Sequence, residues 1–269
     1  KVSGPDSGNI SGYSYVGGVV GLNRGTVENC YNTGTVSSNS NTSDVGGVVG
    51  CNGGTVDNRG TVENCYNTGK VTGSNVGGVV GYNYIGGSVT NCYNTGEVSG
   101  KRYVGGVAGG NSSSGNVTGC YFLQQDGVNE NLPGIGGDSA EGAKSLTADQ
   151  FKKQENFTDW EFGIADTDTW KIEPIFGRPT LKDNAEIGGT ANNPYKIFTA
   201  TQLETFRDIV NDEGGNPAAW AVLMENITLN SSEEWEPIGN EDHRYTGTFD
   251  GNGKTISGFN INSSSDNYQ

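Results

Sequence analysis

The chain has 269 residues, 45 of them glycine, with 32% hydrophobic and 17% charged residues. Glycine at about one residue in six, against a usual ~7%, with 7 prolines and no Gly-X-Y period, excludes both a Leu-rich globule and collagen. The net charge of -15 sits in the second half, since residues 1–122 carry six Lys/Arg and six Asp/Glu and residues 123–269 carry ten and twenty-five. An acidic chain without a basic stripe is repelled by phosphate backbones, so nucleic acid is not an expected partner. With no apolar run near the ~18 residues of a span, membrane insertion of this segment is not expected either. Lys1 opens on Val-Ser-Gly-Pro rather than on a basic and apolar leader, and the chain reads as starting inside a repeat, a piece of something longer.

Val-Gly-Gly-Val-Val-Gly stands at 16–21, 45–50 and 76–81, and Val-Gly-Gly-Val-Ala-Gly at 104–109, at spacings of 29, 31 and 28. Asn-Cys-Tyr-Asn-Thr-Gly recurs in parallel at 29–34, 64–69 and 91–96, with a degenerate Gly-Cys-Tyr-Phe at 119–122. Self-similarity at this period marks a solenoid whose units bury their apolar sides only against one another. The second unit holds an insertion, where Gly-Thr-Val-Asp-Asn-Arg at 54–59 nearly duplicates Gly-Thr-Val-Glu-Asn at 60–64. Within the first unit, Val16–Val20, Thr26–Tyr31 and Thr35–Ser37 are short, rich in Val, Thr and Tyr and bounded by Gly and Asn, which predicts strands and corners rather than helix. Val27 and Cys30 differ in parity, so both face inward only if the chain turns near Asn29, a residue that tolerates the left-handed conformation. The paired glycines 17/18, 46/47, 77/78 and 105/106 read as close approaches that leave no room for a Cβ. The expected fold is mainly β: a right-handed parallel β-helix-like solenoid of about four to five coils with short capping helices.

These Gly-Gly-Val-Val-Gly and Asn-Cys-Tyr-Asn-Thr-Gly units resemble the GLUG repeat of large bacterial surface proteins, including the non-catalytic regions of IgA-protease-type metallopeptidases. The resemblance covers residues 10–122. It implies an extracellular β-helix-like module and assigns no activity.

In the second half, Leu146-Thr147-Ala148-Asp149-Gln150-Phe151 and Phe198-Thr199-Ala200-Thr201-Gln202-Leu203 share one helix-start pattern, with Thr as N-cap and Gln three positions on. Leu203, Phe206 and Val210 then recur at helical spacing to about Asn211, an amphipathic helix suited to covering an open solenoid end. Trp160, Phe162, Trp170, Ile172, Ile175, Phe176 and Leu181 form a dense apolar cluster that resembles the closing segment after GLUG units. Residues 187–261 resemble the opening segment of such domains, so the opener here follows the closer. The expected division is 1–122 for the repeats, 123–183 for a closing segment with a short helix, and 184–269 for an opener-like segment. Strands near 249–261 are expected to stack on the coil near 10–36, within one chain or between chains. The segment ending Asp266-Asn267-Tyr268-Gln269 stands about where an opener runs into its first repeat.

Four of the five cysteines, Cys30, Cys65, Cys92 and Cys120, hold one repeat position and predict a structural ladder; Cys51 stands apart. Stacked coils bring such residues near disulfide distance, and the simpler reading is a column of reduced, buried thiols. Tyr31, Tyr66, Tyr93 and Tyr121 follow them and are expected on the outside, as a sugar- or protein-binding strip or as a brace for the sheet face. No metal site is predicted, because there is no Cys-x-x-Cys and a single histidine, His243, in a polar loop. No His-Glu-x-x-His or Gly-x-Ser-x-Gly is present, so no catalytic residue and no cofactor is assigned. Asp250-Gly-Asn252-Gly and Asp166-Thr-Asp168-Thr read as turns rather than calcium loops, and Glu233/Glu234 and Glu241/Asp242 as loop charges rather than converging acids.

The functional expectation is a non-catalytic extracellular repeat module of a bacterial cell-surface protein, with an adhesion, scaffold or spacer role. Its partners would be a host glycan or protein ligand, and other copies through the solenoid ends. Two alternatives stay open: a carbohydrate-binding or polysaccharide-lyase-like β-helix, and the substrate-recognition region of a larger secreted metallopeptidase.

Overall fold

The computed structural model describes residues 14–55, 57, 59–125, 127–137, 141–162, 169–173, 175, 177–181 and 188–261. It divides into two compact units, Lys1–Trp170 and Lys171–Gln269. The expectations for residues 10–13, Asp166, Asp168, Phe176 and 262–269 lie outside the described residues.

Unit 1 is a parallel β-solenoid in which every strand pairs with its counterpart one repeat away. The first sheet joins Tyr15–Gly17, Asp44–Gly46, Asn75–Gly77 and Val104–Gly105, and the second joins Val20–Asn23, Val49–Asn52, Val80–Asn83 and Ala108–Asn111. The third stacks Thr26–Glu28, Thr61–Glu63, Ser88–Thr90 and Asn116–Thr118. The fourth stacks Tyr31–Asn32, Tyr66–Asn67, Tyr93–Asn94, Cys120–Leu123 and Ala143–Leu146. Val36–Ser37, Val71–Gly73 and Val98–Gly100 form the fifth. Register is set by the repeat itself, because Val16 pairs with Val45, Val45 with Val76 and Val76 with Val104. A one-residue slip would turn the valines out of the core.

Two apolar strips fill the coil. Val48, Val49, Val62, Cys65 and their counterparts form one, and Val16, Val36, Val45, Val71, Val76 and Val98 form the other. The glycines of the repeat let the first and second sheets lie back to back. A Cβ on Gly46 would stand 2.6 Å from the nitrogen of Gly81 and 2.7 Å from the carbonyl oxygen of Val79, backbone atoms that have nowhere to go. The corner expected at Asn29 is present and repeats, with φ of 52°, 51° and 50° at Asn29, Asn64 and Asn91. In the fourth coil Gly119 takes that place, with φ of 61°.

Two asparagine ladders run along the stack inside this frame. Asn23, Asn52, Asn83 and Asn111 pass amide hydrogen bonds from each Nδ2 to the next Oδ1 at 2.8 Å. Asn32, Asn67 and Asn94 do the same at 2.7 Å. The second set also grips its own turn, since the Nδ2 of Asn67 donates to the Gly69 carbonyl at 2.7 Å and its Oδ1 accepts from the Gly69 N–H at 3.2 Å. That is the physical content of the repeated Asn-Thr-Gly. In the fourth coil Phe122 takes the asparagine's place and lays its ring over Gly106, closing the ladder with an apolar group. A partial fifth rung comes next, where Gly106 donates to the Pro133 carbonyl at 2.8 Å and Val107 to that of Gly134 at 2.9 Å.

Unit 2 repeats the principle without the motif. Tyr195–Ile197, Trp220–Leu223 and Thr248–Asp250 form a parallel three-stranded sheet, and Ile227–Thr228 pairs with Ile256–Ser257. Ala221 pairs with Phe249 and Ile227 with Ile256, 28 and 29 residues on, the pitch of unit 1. Five rungs in unit 1 and three in unit 2 make about eight, correcting the expected four to five, which counted the first half alone. Strands in 249–261 therefore pair with 220–228, while Tyr15–Gly17 pairs with Asp44–Gly46.

Both helix starts are where the sequence puts them. In α1, Ala148–Phe151, Thr147 and Gln150 form the full capping box. In α2, Ala200–Asn211, Thr199 caps the N–H of Gln202, but the Gln202 side chain turns back to the N–H of Phe198 instead. The apolar face of α2, Leu203, Phe206 and Val210, packs into the core of its own unit with Tyr195, Ile197, Ala221 and Leu223.

Asn67 is fully buried and holds four hydrogen bonds, so Asn67→Ala orphans several polar groups at once. We expect it to lower the unfolding free energy by about 2–4 kcal/mol, read from a shift of the denaturant midpoint at constant slope. A loss below about 0.5 kcal/mol would show that the ladder is dispensable.

Candidate functional site

Three rows of side chains stand out in unit 1, each produced by in-register stacking of one repeat position. The first is the cysteine column. Cys65, Cys92 and Cys120 are buried in the core strip and Cys30, at its edge, is half-buried. All five cysteines are free thiols. The N–H of Cys30 donates to the Cys65 sulfur at 3.4 Å, and that of Cys65 to the Cys92 sulfur at 3.4 Å. Each thiol donates in turn to a carbonyl two residues back, at 3.1 Å for Cys65 to Glu63 and for Cys92 to Thr90. Burial, then the neighbouring thiols, pushes Cys92 well above the usual thiol range, which keeps it protonated.

The second row is Tyr31, Tyr66, Tyr93 and Tyr121. Its rings leave the coil on the outer side, as expected, and stack at 4.9 and 5.0 Å with planes 4° and 5° apart over the first three. The expectation of an open binding strip is corrected, because all four tyrosines are buried. Phe151, Phe157, Trp160 and Trp170 lie over them. Phe151 and Trp170 pack on Tyr93 at 5.6 and 5.9 Å, and Phe157 and Trp160 on Tyr121 at 5.0 and 5.7 Å. Two hydrogen bonds pin this cover: the N–H of Thr158 donates to the Tyr121 hydroxyl and the Trp160 indole to the Gly119 carbonyl, both at 2.8 Å. An edge-on aromatic cover buries more apolar area than a solvated ladder, so the brace reading prevails.

The third row was missed in the sequence. Tyr15, Asp44 and Asn75 stand one above another on the outer side of the first sheet, and Tyr103 precedes Val104 as Asn75 precedes Val76. Beside them on the second sheet run Leu22, Cys51, Tyr82 and Gly110. Tyr15, Leu22, Ile85 and Tyr103 are exposed at 38–43%. At the centre lies Asp44, itself buried, accepting from Asn75 Nδ2 at 2.8 Å and from the Tyr84 hydroxyl at 3.3 Å. Burial raises its carboxyl above the usual range, against the two hydrogen bonds that lower it. Burial and the Asp44 charge together push the Cys51 thiol up to about 12, and the Tyr84 phenol is raised for the same two reasons. The only sequence signal for this row was a tyrosine just before two of the four Val-Gly-Gly units.

The remaining candidates separate. Among the described residues no group of three or more His, Cys, Asp or Glu could hold a metal ion. His243 lies in a loop whose backbone N–H donates to Asn240 Oδ1 at 2.7 Å. Asp250 accepts from the N–H of Asn252 at 2.8 Å, and Asn252 has φ of 46°, which is a turn. Glu233, Glu234, Glu241 and Asp242 are exposed loop residues. A groove of about 460 Å³ at the end of the fourth coil gathers Asn116, Glu141, Lys144 and Asp159.

Residues 12–37, 41–72 and 72–99 match the GLUG motif, so unit 1 contains a GLUG-repeat region. A protein named as a Gly-rich membrane protein, from Evansella cellulosilytica, is 38% identical over 85 residues, covering 30% of this chain and 9% of that protein. The chain thus spans a small part of the curated relative it matches. No solved structure matches.

Two outcomes are expected from these environments. A bulky disulfide reagent should titrate Cys30 first in the folded protein and reach Cys51, Cys65, Cys92 and Cys120 only with denaturant; early reaction of Cys92 would contradict the packed column. An acid with a raised folded pKa binds more protons folded than unfolded, so Asp44 opposes folding at neutral pH and stops doing so once protonated. The stability of the wild type relative to Asp44→Asn should therefore rise as pH falls from 7 through the raised pKa toward 4, as followed by urea unfolding. A flat difference would place Asp44 in solvent.

Proposed function

We propose that this chain is a non-catalytic repeat module of a bacterial cell-surface protein, extracellular, working as an adhesive scaffold or spacer. One observation carries the reading: the residues repeated in every coil are consumed by stacking. Asparagine amides and tyrosine rings meet their own copies one rung away, and the sulfurs of Cys65 and Cys92 accept from the backbone N–H of the cysteine one rung before. Repetition of this kind makes a stiff rod and brings no unlike groups together for acid–base work. The GLUG-repeat region and the relative named as a Gly-rich membrane protein support a surface setting. No helix among the described residues is long and apolar enough to cross a membrane. Self-association through the solenoid ends belongs to the same proposal, since among the described residues the strands of the first coil are edge strands, as is Thr248–Asp250 in unit 2.

A polysaccharide-lyase reading has one observation in its favour, the groove that sets Lys144 beside Glu141 and Asp159. Incubating the chain with acidic and neutral polysaccharides, with and without calcium, and assaying for unsaturated or reducing ends separates the two. The module reading expects none above background, together with antibody labelling of intact bacteria that make the protein. Calcium-dependent release that Lys144→Ala abolishes would overturn it. A zinc-peptidase motif elsewhere in a longer parent chain would shift the role to substrate recognition without making this segment catalytic.

A further inference from the structure

We propose that the cysteine column of unit 1 binds one soft monovalent cation, copper(I), held linearly between the sulfurs of Cys30 and Cys65. The site goes beyond the module reading, and neither depends on the other.

The two sulfurs lie one rung apart in a common orientation. Tyr31 pairs in register with Tyr66 and Tyr66 with Tyr93, so the cysteines that precede them stack as the tyrosines do. Cys30, Cys65 and Cys92 each donate from sulfur to the carbonyl two residues back at 3.1 Å, to Glu28, Glu63 and Thr90 in turn. Cys30 and Cys65 each donate from the backbone N–H to the sulfur of the next rung at 3.4 Å. Identical contacts on successive rungs mean identical rotamers, and the sulfurs are then related by the rung translation of ~4.8 Å. Two metal–thiolate bonds of about 2.3 Å laid end to end span about 4.6 Å. The column therefore carries the spacing of a two-coordinate bis-thiolate.

Ligand chemistry selects the ion, and burial selects the rung. Among the described residues no group of three or more His, Cys, Asp or Glu could hold a metal ion, so zinc, calcium and magnesium lack the larger ligand sets they require. Copper(I) is satisfied by two ligands, and thiolate is the kind it prefers. Stacking of like groups, useless for acid–base work, supplies that pair. Only the first interval of the column is open, because Cys30 is half-buried at its edge whereas Cys65, Cys92 and Cys120 are buried. A bare ion enters past Cys30, where a bulky reagent stops. Burial above all holds Cys92 protonated. Cys65 is drawn below the usual thiol range by hydrogen bonding, from the Cys30 side chain first and the Cys92 side chain next, and the same contact raises Cys30. On binding, two S–H bonds break and two S–Cu bonds form, two protons leave to solvent, and copper stays in the +1 state. The pair is left with one negative charge, which the Cys30 N–H aimed at the Cys65 sulfur stabilises.

The test is an anaerobic titration of the intact 269-residue chain with copper(I), supplied as its acetonitrile complex and followed by ultraviolet thiolate-to-metal charge-transfer absorption. We expect saturation at one equivalent, release of two protons per ion, and protection of Cys30 from the bulky disulfide reagent. Cys30→Ser and Cys65→Ser should each weaken binding at least about tenfold in competition with a copper(I) chelator, since losing even a group that only supports a ligand costs that much. Cys51→Ser, outside the column, should bind as the wild type does, and zinc(II) should not compete. Cys30 is half-buried, so Cys30→Ser decides the matter if the denaturant midpoint shows Cys65→Ser to be unfolded. No saturating signal at one equivalent, affinity unchanged by Cys30→Ser, loss of binding in Cys51→Ser, or equal competition by zinc(II) would overturn the site. Each of these leaves the module reading standing, because polysaccharide turnover and surface labelling decide that reading separately.

Discussion

Everything in unit 1 depends on satisfying polar groups in a coil too thin to hide them. A solenoid rung encloses only a few valines, and its corners place carbonyls and amides inside, away from water. The two asparagine ladders meet that demand. Each amide carries two donors and an acceptor with two lone pairs, so one side chain bonds the rung above, the rung below and its own turn. Stacking at strand spacing then makes the solution cooperative, since each rung's amides are satisfied only if both neighbours are in register. Without them the Val-Gly-Gly packing would surround a core of orphaned groups, each costing about 1–3 kcal/mol.

The glycines are the complement of those asparagines. Gly47 and Gly78 lie directly beneath the side chains of Asn67 and Asn94, so a methyl at either would displace a ladder amide. The first glycine of each pair serves a different contact, the approach of one sheet to the backbone of the next. What looks like a low-complexity run is two separate steric requirements on adjacent residues. Phe122 shows the same logic in reverse: where the ladder must stop, an apolar ring replaces the amide over Gly106 and the closing segment begins.

Much of this was legible in the sequence, because it is local or strictly periodic. The period gives the pairing register, the parity break between Val27 and Cys30 gives the left-handed Asn29, and the Thr147 and Thr199 patterns give the helix starts. Three features were not legible. The fate of Tyr66 and Tyr93 depends on Trp160 and Trp170, whose arrival is a long-range contact with no periodic trace. The asparagines read as corner residues, which Asn29 is, while the neighbouring Asn32 is a ladder member: one residue type serves two purposes three positions apart. In unit 2 the rungs keep the pitch of unit 1 but not its motif, since α2 and larger side chains such as Phe206 and Leu223 fill the space that glycine and valine fill in unit 1.

The contrast between the two tyrosine rows bears on how such a rod acquires a function. A repeated position is occupied identically in every coil, so its side chains find their best partners in each other, and the cover of Phe151, Phe157, Trp160 and Trp170 completes what stacking began. The row Tyr15, Asp44, Asn75, Tyr103 is the opposite case, a position where the repeat lets go and three residue types occupy four coils. Strand pairing still delivers those residues to one line at fixed spacing, while selection on the stack no longer dictates what they are. Binding surfaces on a repeat protein are to be sought there, at positions whose geometry is constant and whose chemistry is free to differ.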